Sequence, residues 1–415
     1  MIQDEVVSRS DIGMAFHNKF ALKDELAANR LDVTKSYPQF IPGLHGPLSD
    51  LVSQARERAT KIEIDRKHEV ERIARFLGFT EGVKFATTSA GEAIHTVLDY
   101  FSHPGNEVII PDGSYARFPD FVASLPEERV LRWVDTEGLK DILAQNSGGK
   151  NERIVLIEEP RQPTFARPDS ESYKLIAEPR AFCTVIYDGV NFVFDEGSDI
   201  QRTGKENRLH HRDDGRFSRA ENWIQVASLS KALPAKSGQF PNVGIIAISI
   251  AVDSKDLERF QKGISRKTSQ SPPDSELFAM AELLHSSLFP QFIIDLRAIA
   301  RSNFEYLRDG LKTSVVYDGL NAFVKIDLKD FEIKPEEIGT LLKEFGLHAL
   351  YSQLYFRKST SGMETWVRVP LVVNDREGKL SQLETKLKAI QRLRELTRDT
   401  KGIIINIFDG WSDGR

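Results

Sequence analysis

The chain has 415 residues, of which 40% are hydrophobic and 28% are charged, a composition typical of folded globular proteins and not of disordered ones. Its length exceeds the range in which a single hydrophobic core is usual, so we expect two domains and an arm. The formal net charge of −5 lacks the basic surplus typical of nucleic-acid-binding proteins, and we therefore expect no nucleic-acid partner.

The sequence also bears on the cellular compartment. Cys183 is the single cysteine, which excludes a disulfide or a cysteine zinc site within one chain and indicates a reducing environment. The first residues lack the apolar central stretch of a secretory signal. No window has the roughly 18 to 20 uncharged apolar residues of a membrane span. These observations predict a cytoplasmic protein without a membrane partner.

The middle of the chain alternates between predicted strands and helices. Most of the strand runs are apolar on both faces, as in parallel strands that helices cover on both sides. Helical stretches such as GEAIHTVLDYF and LKDILAQ lie between them. This pattern predicts a mostly parallel seven-stranded sheet in a doubly wound α/β domain. The seven runs occupy residues 84–90, 107–113, 129–135, 153–160, 182–189, 222–231 and 242–250.

The pattern changes after about residue 254. Residues 276–313 carry apolar side chains at helical spacing and have room for two consecutive helices. A smaller α+β segment follows, with strands near 317–328 and 365–373 and helices near 334–347 and 382–397. We therefore expect an N-terminal arm with part of a small domain, a large domain and a small C-terminal domain, over residues 1–48, 49–290 and 291–415.

Ligands of parallel α/β sheets bind where the strands end, so the residues that follow each strand are the candidates for chemistry. The sequence Ser228-Leu229-Ser230-Lys231 comes directly after the apolar run WIQVA, so that Lys231 lies just beyond a strand. A partly desolvated lysine amine at this edge could act as a Schiff-base nucleophile. The alternative is an ordinary surface lysine at the end of a strand.

Three other strand ends carry suitable groups. The small residues Ser89, Ala90 and Gly91 lead from a strand into a helix, whose N-terminal N–H groups can bind phosphate. Asp188 ends a strand and could hold a pyridinium nitrogen by a charge-assisted hydrogen bond, or could simply cap a turn. Tyr115 could stack on a flat ring, or could be a core tyrosine.

Taken in chain order, these residues resemble those of the fold-type I pyridoxal-phosphate enzymes, and in particular the class I/II aminotransferases. The similarity extends from about Tyr37 to the final helix, and its most specific part is the S-L-S-K-A sequence after a strand. The separation of Asp188 and Lys231 is long for that family, and the charged insertion at residues 197–221 accounts for the excess. The resemblance implies an aspartate aminotransferase-like fold, pyridoxal 5'-phosphate as cofactor and a homodimer with active sites at the subunit boundary.

The resemblance also implies individual roles. Lys231 resembles the lysine that forms the Schiff base with the cofactor and then carries a proton. Asp188 resembles the partner of the pyridine nitrogen, and Tyr115 resembles the aromatic residue that stacks on the ring. Ser228 matches a hydroxyl contact to the phosphate. The family's phosphate-binding turn corresponds to Ser89, Ala90 and Gly91.

The sequence departs from the family at three cofactor contacts. The asparagine that donates to the phenolic oxygen of the ring is here Gln162, within Glu-Pro-Arg-Gln-Pro-Thr-Phe, and the tyrosine that bonds the same oxygen is Asn191. The family's phosphate arginine has no clear counterpart, so that Lys236 or Gln239 must replace it. Each altered hydrogen bond to a charged group is worth about 1.5 to 3 kcal/mol. We expect cofactor binding to persist, while the outcome of the reaction depends on this changed tuning.

The substrate contacts are predicted from the same resemblance. Arg368, in WVRVPL, resembles the small-domain arginine that holds the α-carboxylate of the substrate in a two-pronged hydrogen bond. Tyr37 is similar to the N-terminal tyrosine that reaches across the subunit boundary to the partner's phosphate group. Arg117, Arg161 and Arg167 could each bind an acidic substrate side chain or face water, and the sequence does not choose between them.

No metal site is expected. His210 and His211 lie near Asp213 and Asp214 in the charged insertion, where a solvated loop is a simpler interpretation than a metal site. The charged run at residues 57–77 is interpreted as one amphipathic helix with an exposed face.

The sequence thus predicts a pyridoxal-phosphate enzyme of amino-acid metabolism or biosynthesis that acts on an L-α-amino acid through Lys231, with transamination to a 2-oxo acid as the first hypothesis. The alternative is elimination, cyclisation, decarboxylation or oxidation of a specialised amino acid, suggested by Gln162 and Asn191. A cofactor-sensing DNA-binding regulator is a third class, but the arm before Tyr37 is too short for a helix-turn-helix.

Overall fold

The computed structural model of the protein defines a large mixed sheet and several smaller ones. It describes residues 31–32, 41–79, 82–115, 117–126, 129–144, 153–158, 183–190, 198–203, 205–211, 223–229, 231–233, 238–248, 258, 260, 262, 271–311, 313–317, 319–326, 338–339, 342, 347–348 and 365–372. The strands are β1 (Leu31–Asp32), β2 (Val83–Thr87), β3 (Glu107–Pro111), β4 (Val130–Val134), β5 (Arg153–Glu158), β6 (Cys183–Asp188), β7 (Ser198–Thr203), β8 (Glu206–His211), β9 (Trp223–Ser228), β10 (Gly244–Ile248), β11 (Val315–Tyr317), β12 (Asn321–Ile326), β13 (Leu347–His348) and β14 (Thr365–Pro370).

Helices cover both faces of the main sheet and extend beyond it. The long apolar segment after residue 254 forms two consecutive helices, as its periodicity predicts. The helices are α1 (Pro42–Ala59), α2 (Arg66–Phe76), α3 (Ala90–Phe101), α4 (Phe118–Ala123), α5 (Thr136–Ala144), α6 (Asp274–His285) and α7 (Leu288–Leu311).

The main sheet has seven strands in the order β2-β10-β9-β6-β5-β3-β4. All of its pairings are parallel except those of β10, which runs antiparallel to both of its neighbours. The predicted mostly parallel seven-stranded sheet is therefore confirmed. The prediction did not specify the reversed direction of β10.

Alternating side chains of the sheet enter two hydrophobic layers. In β5, Val155 and Ile157 belong to one buried cluster, and Ile154 and Leu156 belong to the other. The first layer includes residues from α1, α2, α5, α6 and α7, whereas the second is formed with α3 and α4. Burial on both faces explains why these strands are apolar throughout instead of alternating with polar residues.

A second, three-stranded antiparallel sheet has the order β11-β12-β14. Its residues Val324, Val367 and Val369 are buried in the same cluster as Leu307 and Leu311 of α7. Because α7 also packs Phe289 against Phe76 of α2, this helix connects the main sheet's helical layer with the smaller sheet.

Within the described residues, no single helix is long and apolar enough to cross a membrane. Helices α6 and α7 meet at a bend of 74°, and only when taken together do they have the length and apolar composition of a membrane span.

Local structure differs from the sequence interpretation in three places. Helix α1 begins at Pro42, inside the segment interpreted as an arm, because proline suits the first position of a helix. The charged run at 57–77 is split between α1 and α2, since Asp65 caps a new helix by accepting a hydrogen bond from the N–H of His68. The insertion contains the hairpin β7–β8, so that the backbone of His210 and His211 is in a strand and not in a loop.

The start of β10 depends on a glycine. A Cβ atom at Gly244 would lie 2.5 Å from the carbonyl carbon and oxygen of Ser89 and 2.7 Å from Oγ1 of Thr87. Gly244 is also in register with Thr87 on one side and with Ser228 on the other. The absence of a side chain thus allows β10 to enter between β2 and β9 beside the first turn of α3.

We predict that Gly244→Ala lowers the free energy of unfolding by about 1 to 3 kcal/mol, because backbone atoms must move to admit the methyl group. Gly43→Ala is the matched control, since a Cβ atom at Gly43 has nothing within 4 Å. Gly43 lies in the first turn of α1 and is followed by Leu44, so alanine should stabilise the helix by at most about 1 kcal/mol. Urea unfolding of both variants measures the difference, and equal stabilities would contradict the close contact.

Candidate functional site

The order and direction of the strands bring the predicted residues to one edge of the main sheet. The parallel strands β2, β3, β5, β6 and β9 end there, and the antiparallel β10 begins there. Ligands of open α/β sheets bind at the edge where the strands end. Among the residues at or just after these strand ends are Ser89, Tyr115, Asp188 and Lys231.

A tight turn after β9 holds Lys231 in place. The N–H groups of Ala232 and Leu233 both donate to the carbonyl oxygen of Leu229, at 2.9 and 3.1 Å. The side chains of these three residues are buried in the core, whereas Lys231 is half-buried. The apolar residues on either side therefore anchor the backbone, and the amine is presented from a fixed position.

Tyr115 lies next to that amine. The Nζ atom of Lys231 is 5.7 Å from the centroid of the Tyr115 ring, a distance at which an ammonium group is attracted to the face of the ring. The tyrosine also makes an edge-to-face contact with the buried Phe118, with the ring centroids 5.7 Å apart. The structure therefore brings together Lys231 and the predicted stacking residue, which are 116 positions apart in the chain.

Asp188 is buried at the end of β6. Burial raises the pKa of its carboxyl group from 3.8 to about 6, although the N–H of Val190 and the charge of Lys231 oppose this rise. The Val190 N–H donates to Oδ1 at 3.0 Å. A buried carboxylate with a nearby cation is suited to pair with a protonated ring nitrogen, because that partner compensates the desolvation of the acid.

Four charged residues influence the phenol of Tyr115, and they define the electrostatic surroundings of the site. Burial is the main reason that the pKa of Tyr115 is raised. Asp188 and Glu158 raise it further, whereas Arg117 and Arg368 lower it. Arg368, on β14 of the smaller sheet, is buried. Its charge therefore acts on the same place as the residues of the main sheet.

The predicted phosphate turn forms the first turn of α3. Ser89 caps the helix, and its Oγ accepts a hydrogen bond of 3.1 Å from the N–H of Glu92. Thr87 donates from Oγ1 to the carbonyl oxygen of Ser89 at 2.8 Å, and this hydrogen bond ties the turn to the end of β2. The N–H groups of Ala90 and Gly91 have no acceptor within the helix, as is general at helix N-termini. Such a terminus attracts anions.

Ser228 is the last residue of β9, and its side chain is buried beside Gly244, its partner in β10. Thr87 is the partner of Gly244 on the other side. The predicted hydroxyl contact and the predicted phosphate turn are therefore separated by one strand.

Several predicted residues lie outside the described part of the chain. They are Tyr37, Arg161, Gln162, Arg167, Asn191, Asp213, Asp214 and Lys236, together with the charged helix at 382–397 and most of the helix at 334–347. Gln239, the alternative to Lys236 at the phosphate, is described, and its carbonyl oxygen accepts a hydrogen bond of 3.3 Å from Arg56. Within the described residues, no group of three or more histidine, cysteine, aspartate or glutamate side chains could hold a metal ion.

Two features of the site were not found from the sequence. Glu158 is buried at the end of β5 and is the register partner of Asp188. Its position as an acid at the end of an apolar strand was a usable signal. Gly244, by contrast, gives no signal in the sequence, because its role depends on the approach of Ser89 from a distant segment.

The described residues fit pyridoxal phosphate. A half-buried amine faces an aromatic ring, a buried carboxyl group lies close enough for its charge to matter, and a capped helix N-terminus lies at the same sheet edge. This set supplies a nucleophile, a stacking surface, a partner for a ring nitrogen and an anion site, which are the four contacts such a group requires.

Comparison with known proteins gives information about the fold. No protein-family model matches the sequence, and no curated protein sequence matches it significantly. Solved structures do match it over nearly their whole length. The aromatic aminotransferase of Pyrococcus horikoshii aligns with a TM-score of 0.66 and 18% identity, over 94% of this chain and 100% of that chain.

Two further structures agree. The aspartate aminotransferase of Thermus thermophilus with maleate has a TM-score of 0.66 and 14% identity, over 93% of this chain and 97% of its own. An Escherichia coli protein, YbdL, described as having a methionine aminotransferase function, has a TM-score of 0.63 and 15% identity, over 90% and 97%. The chain has the aspartate aminotransferase-like fold. At these identities the comparisons establish the architecture that the sequence predicted, and the chemistry has to be argued from the site.

The raised pKa of Asp188 predicts how the stability of the cofactor-free protein depends on pH. The folded state keeps a proton on this acid up to about pH 6, whereas the unfolded chain releases it near 3.8. Since the folded state binds more protons over this interval, stability falls as the pH rises through it. Asp188→Asn cannot ionise and should gain about 2 to 3 kcal/mol over the native protein between about pH 4 and pH 8.

Urea unfolding of the native and Asp188→Asn proteins at the two pH values measures this difference. Asp135→Asn is the control, because Asp135 is an exposed helix-capping acid at the end of β4. A stability difference between Asp188→Asn and the native protein that does not change with pH would show that the buried acid is not destabilised by ionisation.

Proposed function

We propose that the protein is a pyridoxal-phosphate-dependent enzyme that transfers the amino group of an L-α-amino acid to a 2-oxo acid. The observation that carries this proposal is the placement of the Lys231 amine 5.7 Å from the centre of the Tyr115 ring, with the buried Asp188 close enough for the lysine charge to lower its pKa. A surface lysine at the end of a strand, which was the alternative interpretation, would not have this environment.

Six described residues would hold the cofactor. Tyr115 provides the stacking face and Asp188 the partner of the ring nitrogen. Because burial raises the pKa of Asp188 to about 6, a cationic ring nitrogen would favour the ionised acid and strengthen the pair. The phosphate group would be bound by the first turn of α3 and the hydroxyl group at the end of β9, that is by Ser89, Ala90, Gly91 and Ser228.

The part of the site beyond the described residues completes this proposal. Gln162 and Asn191 would contact the phenolic oxygen of the cofactor, and Lys236 its phosphate. Tyr37 would reach the phosphate group of a partner subunit, since we propose a homodimer. We also propose the cytoplasm as the location and amino-acid metabolism as the context.

The cofactor, when bound, supplies an aldehyde that condenses with amines and a ring that withdraws electrons. Lys231 would attach the cofactor through Nζ, and once the amine of the substrate has displaced this nitrogen, the freed Nζ amine would accept the proton from Cα of the substrate. Arg368 binds the α-carboxylate with its planar guanidinium. A fixed carboxylate and a fixed base keep one Cα–H bond next to Nζ, which favours proton transfer over other bond cleavages.

A second candidate keeps the cofactor and changes the outcome to elimination, cyclisation, decarboxylation or oxidation of a specialised amino acid. The observation in its favour is the sequence itself, with Gln162 and Asn191 at positions where the class I/II aminotransferases have asparagine and tyrosine. Both changes alter hydrogen bonds that tune the electron distribution of the ring.

We predict that the purified protein, reconstituted with pyridoxal phosphate, has an absorption band in the visible range, and that borohydride reduction attaches the cofactor covalently to it. Lys231→Ala should abolish both the band and the attachment. Lys140→Ala is the matched control, because Lys140 is a helix lysine in an exposed pair with Glu137 and should leave the band unchanged. Mass spectrometry of the reduced protein locates the modified residue. A native protein that stays colourless after addition of pyridoxal phosphate would contradict the proposal.

The reaction type is decided by incubating the native protein with L-aspartate, L-methionine and L-phenylalanine, with and without 2-oxoglutarate. Transamination requires the oxo acid and produces glutamate. Turnover without an oxo acid, with release of ammonia, carbon dioxide or peroxide, would support the second candidate instead.

A further inference from the structure

Helix α7 carries one polar residue in its buried stripe. The buried positions are Phe289, Phe292, Ile293, Leu296, Ala300, Asn303, Leu307 and Leu311, at the spacing of a helix face that packs on a core. Asn303 is fully buried, and its Oδ1 has no hydrogen-bond partner among the residues that the structure describes. A buried amide oxygen without a partner costs free energy of folding, so this side chain is unusual in an apolar stripe.

The amide nitrogen of Asn303 has a specific partner. Its Nδ2 donates to the carbonyl oxygen of Leu371 at 2.7 Å. Leu371 is fully buried, and its own N–H donates to the carbonyl oxygen of Leu320 at 2.9 Å. Both backbone groups of this residue are therefore held, one by the smaller sheet's own turn and one by α7.

Leu371 follows directly after β14, the strand that carries Arg368. This strand lies at the edge of its sheet and pairs with β12, where Phe323 is the register partner of Arg368. Leu371 is three positions after Arg368, a distance of about 10 Å along extended chain. A strand held along one side and at its end transmits a displacement of that end to the positions before it.

Successive side chains of β14 point to opposite faces of the smaller sheet. Val367 and Val369 are buried in the cluster with Leu307 of α7, so Arg368, between them, projects from the opposite face. On that side its charge lowers the pKa of Tyr115. Helix α7 thus packs against one face of β14, and Arg368 projects from the other face, toward the candidate site.

We infer that Asn303 is a positioning residue for Arg368: by holding the end of β14, it sets where the guanidinium meets the carboxylate of the amino-acid substrate. This inference rests on the proposed function, since it assigns Arg368 to the carboxylate. Asn303 itself does not touch the substrate. Its contribution is made through the backbone of Leu371.

The test compares two buried asparagines with the same chemistry. Asn303→Asp keeps the shape but replaces the donor by a carboxylate, which repels the Leu371 carbonyl oxygen. Asn207→Asp is the matched control, because Asn207 is also fully buried and also donates from Nδ2 to a leucine carbonyl oxygen at 2.7 Å, that of Leu284 at the end of α6. Asn303→Ser, which is neutral and too short to reach Leu371, replaces Asn303→Asp if the latter does not fold.

The readout is the spectral titration of the reconstituted holoenzyme with whichever of L-aspartate, L-methionine and L-phenylalanine changes the native spectrum most. We expect the Asn303 variants to bind this amino acid roughly tenfold more weakly, as the loss of one hydrogen bond implies, with the cofactor band retained. Asn207→Asp should stay within about twofold of the native affinity. In an Arg368→Ala background, Asn303→Ser should have no further effect on affinity, because it acts through the arginine.

Equal weakening by the Asn207 and Asn303 variants, or an unchanged effect of Asn303→Ser in the Arg368→Ala background, would overturn the positioning role. Hydrogen exchange of the peptide spanning residues 365–372 separates this result from a failure of the proposed function. If the native protein binds no cofactor, the proposed function fails. Faster exchange of that peptide in the Asn303 variants alone would then support the backbone anchor, and unchanged exchange would overturn it.

Discussion

The contact between Gly244 and Ser89 is the constraint on which the site depends. It lets the antiparallel β10 enter between β2 and β9, and this strand joins the first turn of α3 to the turn that carries Lys231. The two segments are about 140 positions apart in the chain. A single register, with Thr87 and Ser228 on either side of the glycine, therefore fixes the distance between the first turn of α3 and the turn that carries the amine.

A buried acid at this sheet edge lowers the stability of the folded state. Asp188 is buried with one backbone donor and the charge of Lys231, and its pKa still rises to about 6. Such an acid destabilises the cofactor-free protein at neutral pH. A ligand with a cationic ring nitrogen would pair with the ionised carboxyl group, and its binding would stabilise the folded state. The tension between stability and site chemistry is typical of sites prepared for a charged ligand.

The smaller sheet contributes to the same place from a different direction. The charge of Arg368 acts on Tyr115, while Val367 and Val369 of β14 pack in one cluster with α7, the helix that also contacts the main sheet's helical layer. Asn303 ties that helix to the end of β14 by one buried hydrogen bond. A continuous path of packed and hydrogen-bonded residues thus connects the strand that carries the arginine to the main sheet's helical layer through α7.

The sequence by itself determined the seven strands of the main sheet, the two consecutive helices after residue 254 and the identity of Lys231, Asp188 and Tyr115 as candidates, because hydrophobic periodicity and the residues after strand ends are local signals. It could not determine the reversed direction of β10, the hairpin within residues 197–221, or the roles of Glu158 and Asn303. These depend on which segments become neighbours. A carboxyl group becomes part of a site only when the next strand aligns beside it, and a polar residue in an apolar stripe acquires its meaning only from the carbonyl group that the folded chain places against it.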